Sequence, residues 1–537
     1  MFDTTWLEEF KRKNGRPLRI LHIGNIANNA YFNSKFLNAF GVESDVFCYS
    51  NYHIMSSPEW EEADFVDLPK DHYFPDWWNL NISGYEQPRW FAQGPWKLCI
   101  RYLISRQNGE SQQAEILWEK LRRARYAAHE SPLPNIHKLF RRYGKYLPEP
   151  YFSQLKTYFQ SVIESIQNLY ASGSSIRRQE AHDLEDGPDK DSSWLIKEFN
   201  NHFPNRGDQL TLNDLEHYKS KAQSLSPLLK NYDIVQAYAT DALYPLILGY
   251  KPYVAFEHGT LRDAPYVDWP FKGPFYNNSE GRLAALAYAC ADHVFITNAD
   301  NLTSAQRLGI YKYSPIGHPF DETSFALNKK VRNEIRTKID AEYIFLCPIR
   351  HDWKEKGTDK YILALPLLRK ALGNRFKVCF MPWGKELENS RRLIADLGCE
   401  DLVEWVGPFG QVWFSRWLIS ADVIFDQLSY ESFSGLTPRA LACGVPVIAR
   451  YNPGSMEWMF PEPAPVLNAE NEEDILHQTL TALQPGYREG YQIKAREWVM
   501  KYHSSKHVLD ELLTVYKDLI LKGQTEIRKD PEYEFIT

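Results

Sequence analysis

The sequence predicts an α/β protein with two doubly wound, parallel-sheet domains. Residues 17–24 read as a buried strand that ends at a glycine, and a helical stretch (31–40) and a second strand (44–49) follow it. Between residues 343 and 449, five short apolar strands alternate with amphipathic helices. This alternation requires parallel strands covered by helices on both faces, so two such sheets are expected.

The first domain is predicted to span residues 1–325. After the opening β-α-β unit, further buried strands are expected at 233–238, 253–256 and 293–296, with a helix at 281–291. Between about residues 70 and 230 the alternation fails. We therefore predict a mostly helical insertion there, with helices at 115–128 and 151–170 and a solvated polar stretch at 172–193.

The second domain is predicted over residues 326–505, followed by a C-terminal helix and tail at 506–537. Its strands and helices alternate without interruption, which is typical of a doubly wound sheet. The predicted strands are 343–347, 376–382, 402–406, 422–426 and 445–449, and the helices between them are 358–372, 386–397, 413–420 and 436–443. Two such sheets in one chain create a crevice at their carboxyl ends, where open α/β sheets bind ligands.

Composition narrows the class of protein. The 537 residues carry 62 Lys and Arg against 69 Asp and Glu, a net charge of −7, so a nucleic-acid partner is not expected. No signal peptide and no apolar run of about 18 residues is visible, which predicts no transmembrane segment. The seven cysteines are scattered singly, so neither a zinc site nor a disulfide framework is indicated. A cytoplasmic protein is expected, with peripheral contact at the inner face of a membrane as a possibility left open.

The most specific motif lies in the segment 431–449, where Ala442-Cys443-Gly444 is followed by Pro446-Val447-Ile448. It resembles the signature of GT-B glycosyltransferases, in particular the retaining family-4 type. The loop after strand 422–426 opens a helix, and the N–H groups and positive dipole end of a helix start suit a nucleoside diphosphate. An ordinary helix start is the alternative. The resemblance implies that the donor is bound here by Ser434, Gly435, Leu436 and Thr437.

Two side chains of this segment, Glu431 and Arg439, differ in how they match the family signature. Glu431 matches the first glutamate of the family signature, which the resemblance places near the donor sugar; a solvated loop residue is the alternative. The second glutamate, which in the family contacts the ribose, is replaced by Arg439. A cation cannot make the same hydrogen bonds. Either other groups hold the ribose, or the arginine serves the phosphates, or the choice of nucleotide differs.

A second motif follows the first strand of the second domain. Residues 348–359 resemble the family's arginine and lysine pair, which binds the donor diphosphate. The departing nucleoside diphosphate gains negative charge, and protein cations can neutralise it without a metal ion. Arg350 and Lys356 are the candidates, Lys354 competes with Lys356, and a solvated loop of mixed charge is the alternative.

Two turns of the first domain complete the predicted site. His258-Gly259-Thr260 follows a strand and resembles the family's turn whose histidine faces the donor sugar. A lone histidine is more often structural, but the end of a parallel strand favours a functional role. Gly24 and Asn25, in the first β-α turn, are expected to line the same crevice, where glycine lets a substrate approach the backbone.

The resemblance covers residues 17–50 and 232–505 and implies a GT-B architecture of two Rossmann-like domains facing across a cleft. It implies a metal-independent, retaining glycosyltransferase that uses a nucleoside diphosphate-sugar as co-substrate, has no other cofactor, and acts on a glycan, lipid-linked or small-molecule acceptor. The rivals are a sugar-nucleotide epimerase or phosphorylase of the same fold, and a catalytically degenerate binding subunit. Phosphate-loop, dehydrogenase, metalloprotease and serine-hydrolase motifs are not found in the sequence.

Aromatic residues make up 14% of the chain, and many cluster near the start of the predicted insertion. Such rings either form the core of the insertion or provide a platform that stacks on an acceptor. Core packing is the preferred interpretation, because large rings mostly pack inward. The cluster contains Tyr73, Phe74, Trp77, Trp78, Tyr85, Trp90, Phe91, Trp96 and Tyr102.

Overall fold

The computed structural model describes residues 4–49, 51–65, 73–77, 80–82, 84–130, 192–204, 210–263, 279–326, 328–431 and 434–529. The helix predicted at 151–170, most of the polar stretch predicted at 172–193, and Trp78 lie outside these ranges.

The first sheet has seven strands, all parallel, in the order β3-β2-β1-β4-β5-β6-β7. β1 is buried on both faces after its first residue, as a central parallel strand must be. The strands are β1 (Arg19–Ile23), β2 (Glu43–Tyr49), β3 (Phe91–Gly94), β4 (Ile234–Tyr238), β5 (Tyr253–Glu257), β6 (His293–Ile296) and β7 (Tyr313–Pro315).

Helices cover both faces of this sheet and form the described part of the predicted insertion. They are α1 (Thr5–Asn14), α2 (Asn29–Ala39), α3 (Pro58–Glu62), α4 (Trp96–Gln107), α5 (Ser111–Glu130), α6 (Ser193–His202), α7 (Leu212–Leu229), α8 (Leu243–Ile247), α9 (Thr260–Asp263), α10 (Ser279–Cys290) and α11 (Leu302–Arg307).

The second sheet has six parallel strands in the order β10-β9-β8-β11-β12-β13. Its strands are β8 (Tyr343–Cys347), β9 (Phe376–Phe380), β10 (Val403–Trp405), β11 (Val423–Phe425), β12 (Val447–Ala449) and β13 (Leu467–Asn468). Its helices are α12 (Lys329–Arg336), α13 (Trp353–Lys356), α14 (Thr358–Leu363), α15 (Leu365–Leu372), α16 (Leu387–Asp396), α17 (Gln411–Ser420), α18 (Leu436–Ala442), α19 (Pro453–Met456), α20 (Glu472–Ala482), α21 (Tyr487–Tyr502) and α22 (Ser505–Lys529).

The prediction of two Rossmann-like domains is confirmed. In each sheet the strand order reverses beside the first strand of the domain, between β1 and β4 and between β8 and β11. The loops that leave these neighbouring strands run in opposite directions, which opens a crevice at the carboxyl edge of each sheet. One hydrophobic cluster joins the two domains, because Ile20 of β1, Leu346 of β8 and Tyr516 of α22 belong to the same buried set.

Three details differ from the expected pattern. Phe91–Gly94, within the predicted insertion, pairs with β2 and is the edge strand of the first sheet. The helix expected at 358–372 is divided at Ala364 because Pro366, at the start of α15, cannot continue the hydrogen-bond ladder. The C-terminal helix returns to the first domain, where the Tyr516 hydroxyl donates to Gln236 Oε1 at 2.8 Å.

The aromatic cluster is mainly core. Trp77, Phe91, Trp96 and Tyr102 are at most 5% exposed, which excludes them from any platform that contacts a ligand. Tyr73 is half-buried and lies at the cleft between the domains, stacked on His53. The preferred interpretation therefore holds for those four buried rings.

Candidate functional site

A cleft of about 510 Å³ lies between the two sheets. Its first wall comes from turns that follow β1, β2 and β5, and its second wall from turns that follow β8, β9, β10 and β11. The lining includes Ala27, Asn29, Ile54, Met55, Trp60, Glu61, Tyr73, His258 and His318 on one side, and Arg350, Asp352, Lys356, Trp383, Lys385, Phe414, Ser434, Gly435, Leu436 and Arg439 on the other. All of these turns lie at the carboxyl ends of parallel strands, where this fold places its ligands.

Cationic side chains gather on the second wall. Lys356 Nζ donates to Gln427 Oε1 at 2.7 Å, and this bond spans the switch point between β8 and β11. Arg350 is nearly half exposed, and its guanidinium is 3.7 Å from Glu355. The Lys385 ammonium lies 2.9 Å from Asp352 Oδ2. Burial would raise the pKa of Asp352, but Lys385 and the Glu355 N–H outweigh it and lower that pKa.

Lys385 is held in place by an unusually tight turn. Gly384 has φ +112°, and a Cβ at this position would lie 2.5 Å from His351 N, so only glycine fits. Trp383 Nε1 donates to the Pro348 carbonyl at 3.0 Å and locks the turn against the loop after β8. This packing brings Lys385 beside the loop that carries Arg350.

The start of α18 is held by hydrogen bonds to a buried carboxylate, that of Asp426. Asp426, at the end of β11, is fully buried and accepts the Ser434 hydroxyl at 2.8 Å and the Thr437 hydroxyl at 2.6 Å. The Leu436 N–H donates to Ser434 Oγ at 3.1 Å, and the Thr437 N–H donates to the Ser434 carbonyl. Ser434, Gly435 and Leu436 line the cleft, whereas Thr437 is buried beneath it.

Arg439 reaches across the cleft. Its guanidinium donates to the Gly435 carbonyl at 2.9 Å and lies 3.4 Å from Glu61 Oε2 of the first domain. It also stacks over the ring of Phe320. The Glu61 carboxyl is buried, which raises its pKa, and Arg439 opposes that rise. Arg439 therefore meets a carboxylate supplied by the other domain.

His258 lies on the first wall, as expected for the turn after β5. Its Nδ1 is 3.1 Å from Asn29 Nδ2 and 3.3 Å from Thr297 Oγ1, so the neighbouring turns fix the plane of the ring. The ring of His318 packs edge-on against it, with centroids 5.5 Å apart. His258 is thus held at the cleft wall through its Nδ1 contacts.

Five predicted site residues lie outside the cleft lining: Thr437, buried beneath it, and the four that follow. Glu431 is exposed and is held by Arg450 at 3.2 Å and Asn452 at 2.9 Å. Lys354 is exposed on α13. Asn25 is buried, and its amide donates to Asn28 Oδ1 and to the Ser56 carbonyl, so it supports the turn after β1 from within. Gly24 packs against Asp241, a protein carboxylate, where a close approach of substrate was expected.

Sequence reasoning missed several residues of the site. Lys385 follows a predicted strand in a Trp-Gly-Lys turn. A cation at the end of a parallel strand could have been predicted to line the crevice. Glu61, Asn29 and His318 carry no local motif, because their place in the cleft arises from packing between segments distant in the chain.

A second cavity of about 610 Å³ lies at the opposite edge of the first sheet, beside α6 and the starts of β5 and β7. Glu198, His202 and Cys290 meet there, each with a potential metal-ligating atom within 4.8 Å of the other two. Glu198 and His202 are four residues apart on α6, and His202 Nδ1 is already 3.0 Å from the Glu198 carbonyl. An ordinary helical pair accounts for the proximity of Glu198 and His202.

Residues 342–484 match the family model described as "Glycosyl transferases group 1". The second domain is a group 1 glycosyltransferase domain. The match begins at β8 and ends after α20, so it contains Arg350, Lys356, Lys385 and Arg439. The second wall of the cleft therefore belongs to the glycosyltransferase domain, and the first wall lies outside the match.

Several solved structures are similar to this chain. HepE from Anabaena, in complex with UDP and glucose, has a TM-score of 0.46 at 16% identity, over 57% of this chain and 83% of that one. Sucrose-phosphate synthase from Thermosynechococcus elongatus has a TM-score of 0.46 at 15% identity, over 58% and 80%. Trehalose-6-phosphate synthase (OtsA) has a TM-score of 0.44 at 12% identity, over 61% and 81%. A comparison with curated protein sequences finds no match.

Within the described ranges, no helix combines the length and the apolar character needed to cross a bilayer.

Proposed function

We propose that the protein transfers a sugar from a nucleoside diphosphate-sugar to a glycan, lipid-linked or small-molecule acceptor, with retention of the anomeric configuration. One observation carries the proposal: the cleft joins the cationic wall of the glycosyltransferase domain to a first wall that presents His258. Retention is included because residues 431–449 resemble the retaining family-4 signature.

The cationic wall suits a leaving diphosphate. Arg350, Lys356 and Lys385 come from loops that follow two adjacent strands, β8 and β9, so their charges converge on one edge of the sheet. Charge-assisted hydrogen bonds from such groups grow stronger as negative charge develops on the leaving group. In this proposal they bind the diphosphate in the ground state and stabilise it further during bond cleavage.

Metal independence is part of the proposal because the cleft carboxylates are already paired. Glu61 is 3.4 Å from the Arg439 guanidinium, and Asp352 is 2.9 Å from the Lys385 ammonium. A divalent cation bound by oxygen ligands would have to displace these protein cations. Protein cations then do the work that a metal ion would do.

The first wall is proposed to position the sugar and to admit the acceptor. His258, whose ring plane is fixed through Nδ1, would face the donor sugar from this wall. Around it the wall includes the exposed Met55 and the half-buried Tyr73. Such a surface suits the flat face of a sugar ring or the apolar part of a carrier.

The test is a panel of nucleoside diphosphate-sugars read by release of the nucleoside diphosphate, with and without candidate acceptors. We expect acceptor-dependent release with one donor class and, by NMR, a product with the donor's anomeric configuration. An isomerised donor without acceptor would identify an epimerase, and phosphate-dependent cleavage a phosphorylase. Absence of turnover together with absence of any nucleotide-induced thermal shift would overturn the proposal.

A further inference from the structure

The ion pair between Glu61 and Arg439 joins the two walls of the cleft. Glu61 lies in α3 of the first domain and Arg439 in α18 of the second, 378 residues apart in the chain. Their side chains are only 7% and 12% exposed. A charged group buried to this extent requires an opposite charge, because water no longer solvates it.

On the side of the first domain, Glu61 is tied to the turn that follows β1. Asn28 Nδ2 donates to Glu61 Oε1 at 3.2 Å, and Asn25 Nδ2 donates to Asn28 Oδ1 at 3.0 Å. Ala27 and Asn28 both have positive φ, a backbone conformation that costs free energy for residues other than glycine. The hydrogen bonds to Glu61 and Asn25 therefore help to hold a strained turn whose Ala27 lines the cleft.

On the side of the second domain, Arg439 is tied to the start of α18. One amino group of its guanidinium donates to the Gly435 carbonyl, and the other faces Glu61. Its Nε is buried with no hydrogen-bond partner among the described residues, so the group is oriented by its contacts with Gly435 and Glu61 and by the rings of Phe320 and Phe325. Gly435 lines the cleft beside Ser434 and Leu436.

We propose that Glu61 is a positioning residue of the donor site, which holds the Arg439 guanidinium and thereby keeps the two walls of the cleft together. This inference rests on the proposed function for what the cleft binds. Removing either partner would leave the other charge buried and uncompensated in the closed cleft, so the closed cleft depends on both. The positive charge of Arg439 is thus compensated by the Glu61 carboxylate of the other domain.

A second ionic contact between the domains, among the residues that the structure describes, differs in exposure. Asp64 and Arg416 approach to 3.6 Å, but their side chains are 46% and 33% exposed. Exposed pairs are screened by water and contribute little. The Asp64→Asn variant is therefore a matched control. It removes an exposed ionic contact between the same two domains, and we expect the cleft to stay closed without it.

The first experiment compares Glu61→Gln with Glu62→Gln and Asp64→Asn in the full chain. Glu62 lies on the same helix but pairs with Lys35 inside the first domain. By small-angle X-ray scattering without ligand, we expect a larger radius of gyration for Glu61→Gln alone. With the active donor, we expect its KM to rise about tenfold with a smaller change in kcat, because ground-state assembly of the cleft is impaired.

Arg439→Lys keeps the charge but replaces two amino groups with one ammonium, so it cannot hold Gly435 and Glu61 at once. We expect it to open the cleft as Glu61→Gln does, and the double variant to be no worse than either single one. The positioning role is overturned if Glu61→Gln gives the same radius of gyration and the same KM as Glu62→Gln. If Glu61→Gln does not fold, the same comparison is made with Arg439→Lys. Wild-type protein without any donor turnover would overturn the proposed function instead, and the scattering comparison would still decide the role of Glu61.

Discussion

Gly24 and Asp241 approach each other so closely that a Cβ on Gly24 would lie 2.2 Å from Asp241 Oδ2. Gly24 follows β1 and Asp241 follows β4, so the two residues meet at the switch point of the first sheet. Gly24 has φ +84°, and the Tyr49 hydroxyl donates to Asp241 Oδ1 at 2.5 Å. The glycine is thus required by the packing of a partly buried carboxylate.

Gly24→Ala is expected to lower the free energy of unfolding by about 3 kcal/mol, because left-handed strain adds to a clash with a fixed carboxylate. Gly15→Ala is the matched control. Gly15 also has positive φ, but a Cβ there would meet nothing within 4 Å, so a loss of about 1 kcal/mol is expected. Urea unfolding of both variants measures the difference; equal losses would contradict the role assigned to Asp241.

Asp241 should also make stability depend on pH. Burial raises the pKa of its carboxyl to about 7, although the Tyr49 hydrogen bond opposes the rise. Between about pH 4 and pH 7 the folded chain then holds a proton that the unfolded chain has released, so this group's contribution to stability falls as pH rises.

The Asp241→Asn variant isolates this effect because its amide stays neutral and can still accept from Tyr49. From pH 5 to pH 8, we expect the wild-type melting temperature to fall relative to that of the variant. The difference in unfolding free energy across the window should not exceed about 4 kcal/mol. Parallel melting curves over this range would show that Asp241 is ionised throughout.

The fold was largely predictable because parallel strands are apolar on both faces and are separated by helices. Residues 343–347 were predicted as a strand and are β8, with the same bounds. Phe91–Gly94 escaped prediction because the segment is four residues long and ends in Gln93 and Gly94, which carry no strand signal. Its identity as a strand comes from pairing with β2.

The site was predictable only where a strand end and a motif coincide. Arg350, Lys356 and His258 follow strands and line the cleft. Glu61 was missed because it acquires its role by meeting Arg439, which is remote in the chain. Thr437 was expected to offer its backbone N–H to a phosphate, but that N–H donates to the Ser434 carbonyl, and its hydroxyl donates to Asp426, a partner that local sequence does not reveal.

Thr437→Val tests the anchor beneath α18. The substitution keeps the shape of the side chain but removes a hydroxyl that donates to buried Asp426 at 2.6 Å, so we expect a loss of about 2 kcal/mol in unfolding free energy. Thr479→Val is the control, because Thr479 Oγ1 is buried with no hydrogen-bond partner among the described residues. Its replacement should be neutral or stabilising. Similar losses in both variants would mean that side-chain shape, and not the bond to Asp426, matters.

Lys356 and Lys354 were rival candidates for the diphosphate cation, and the structure makes them separable. Lys356 Nζ sits at the switch point, 2.7 Å from Gln427, whereas Lys354 is exposed on α13 and does not line the cleft. With the active donor, Lys356→Ala should lower kcat/KM about a hundredfold, because a cation facing developing charge is removed. Arg350→Ala should act in the same direction, and Lys354→Ala should change kcat/KM little. Diphosphate release at limiting and at saturating donor measures all three. A larger defect for Lys354→Ala than for Lys356→Ala, or unchanged turnover in both Lys356→Ala and Arg350→Ala, would show that the diphosphate is bound elsewhere in the cleft.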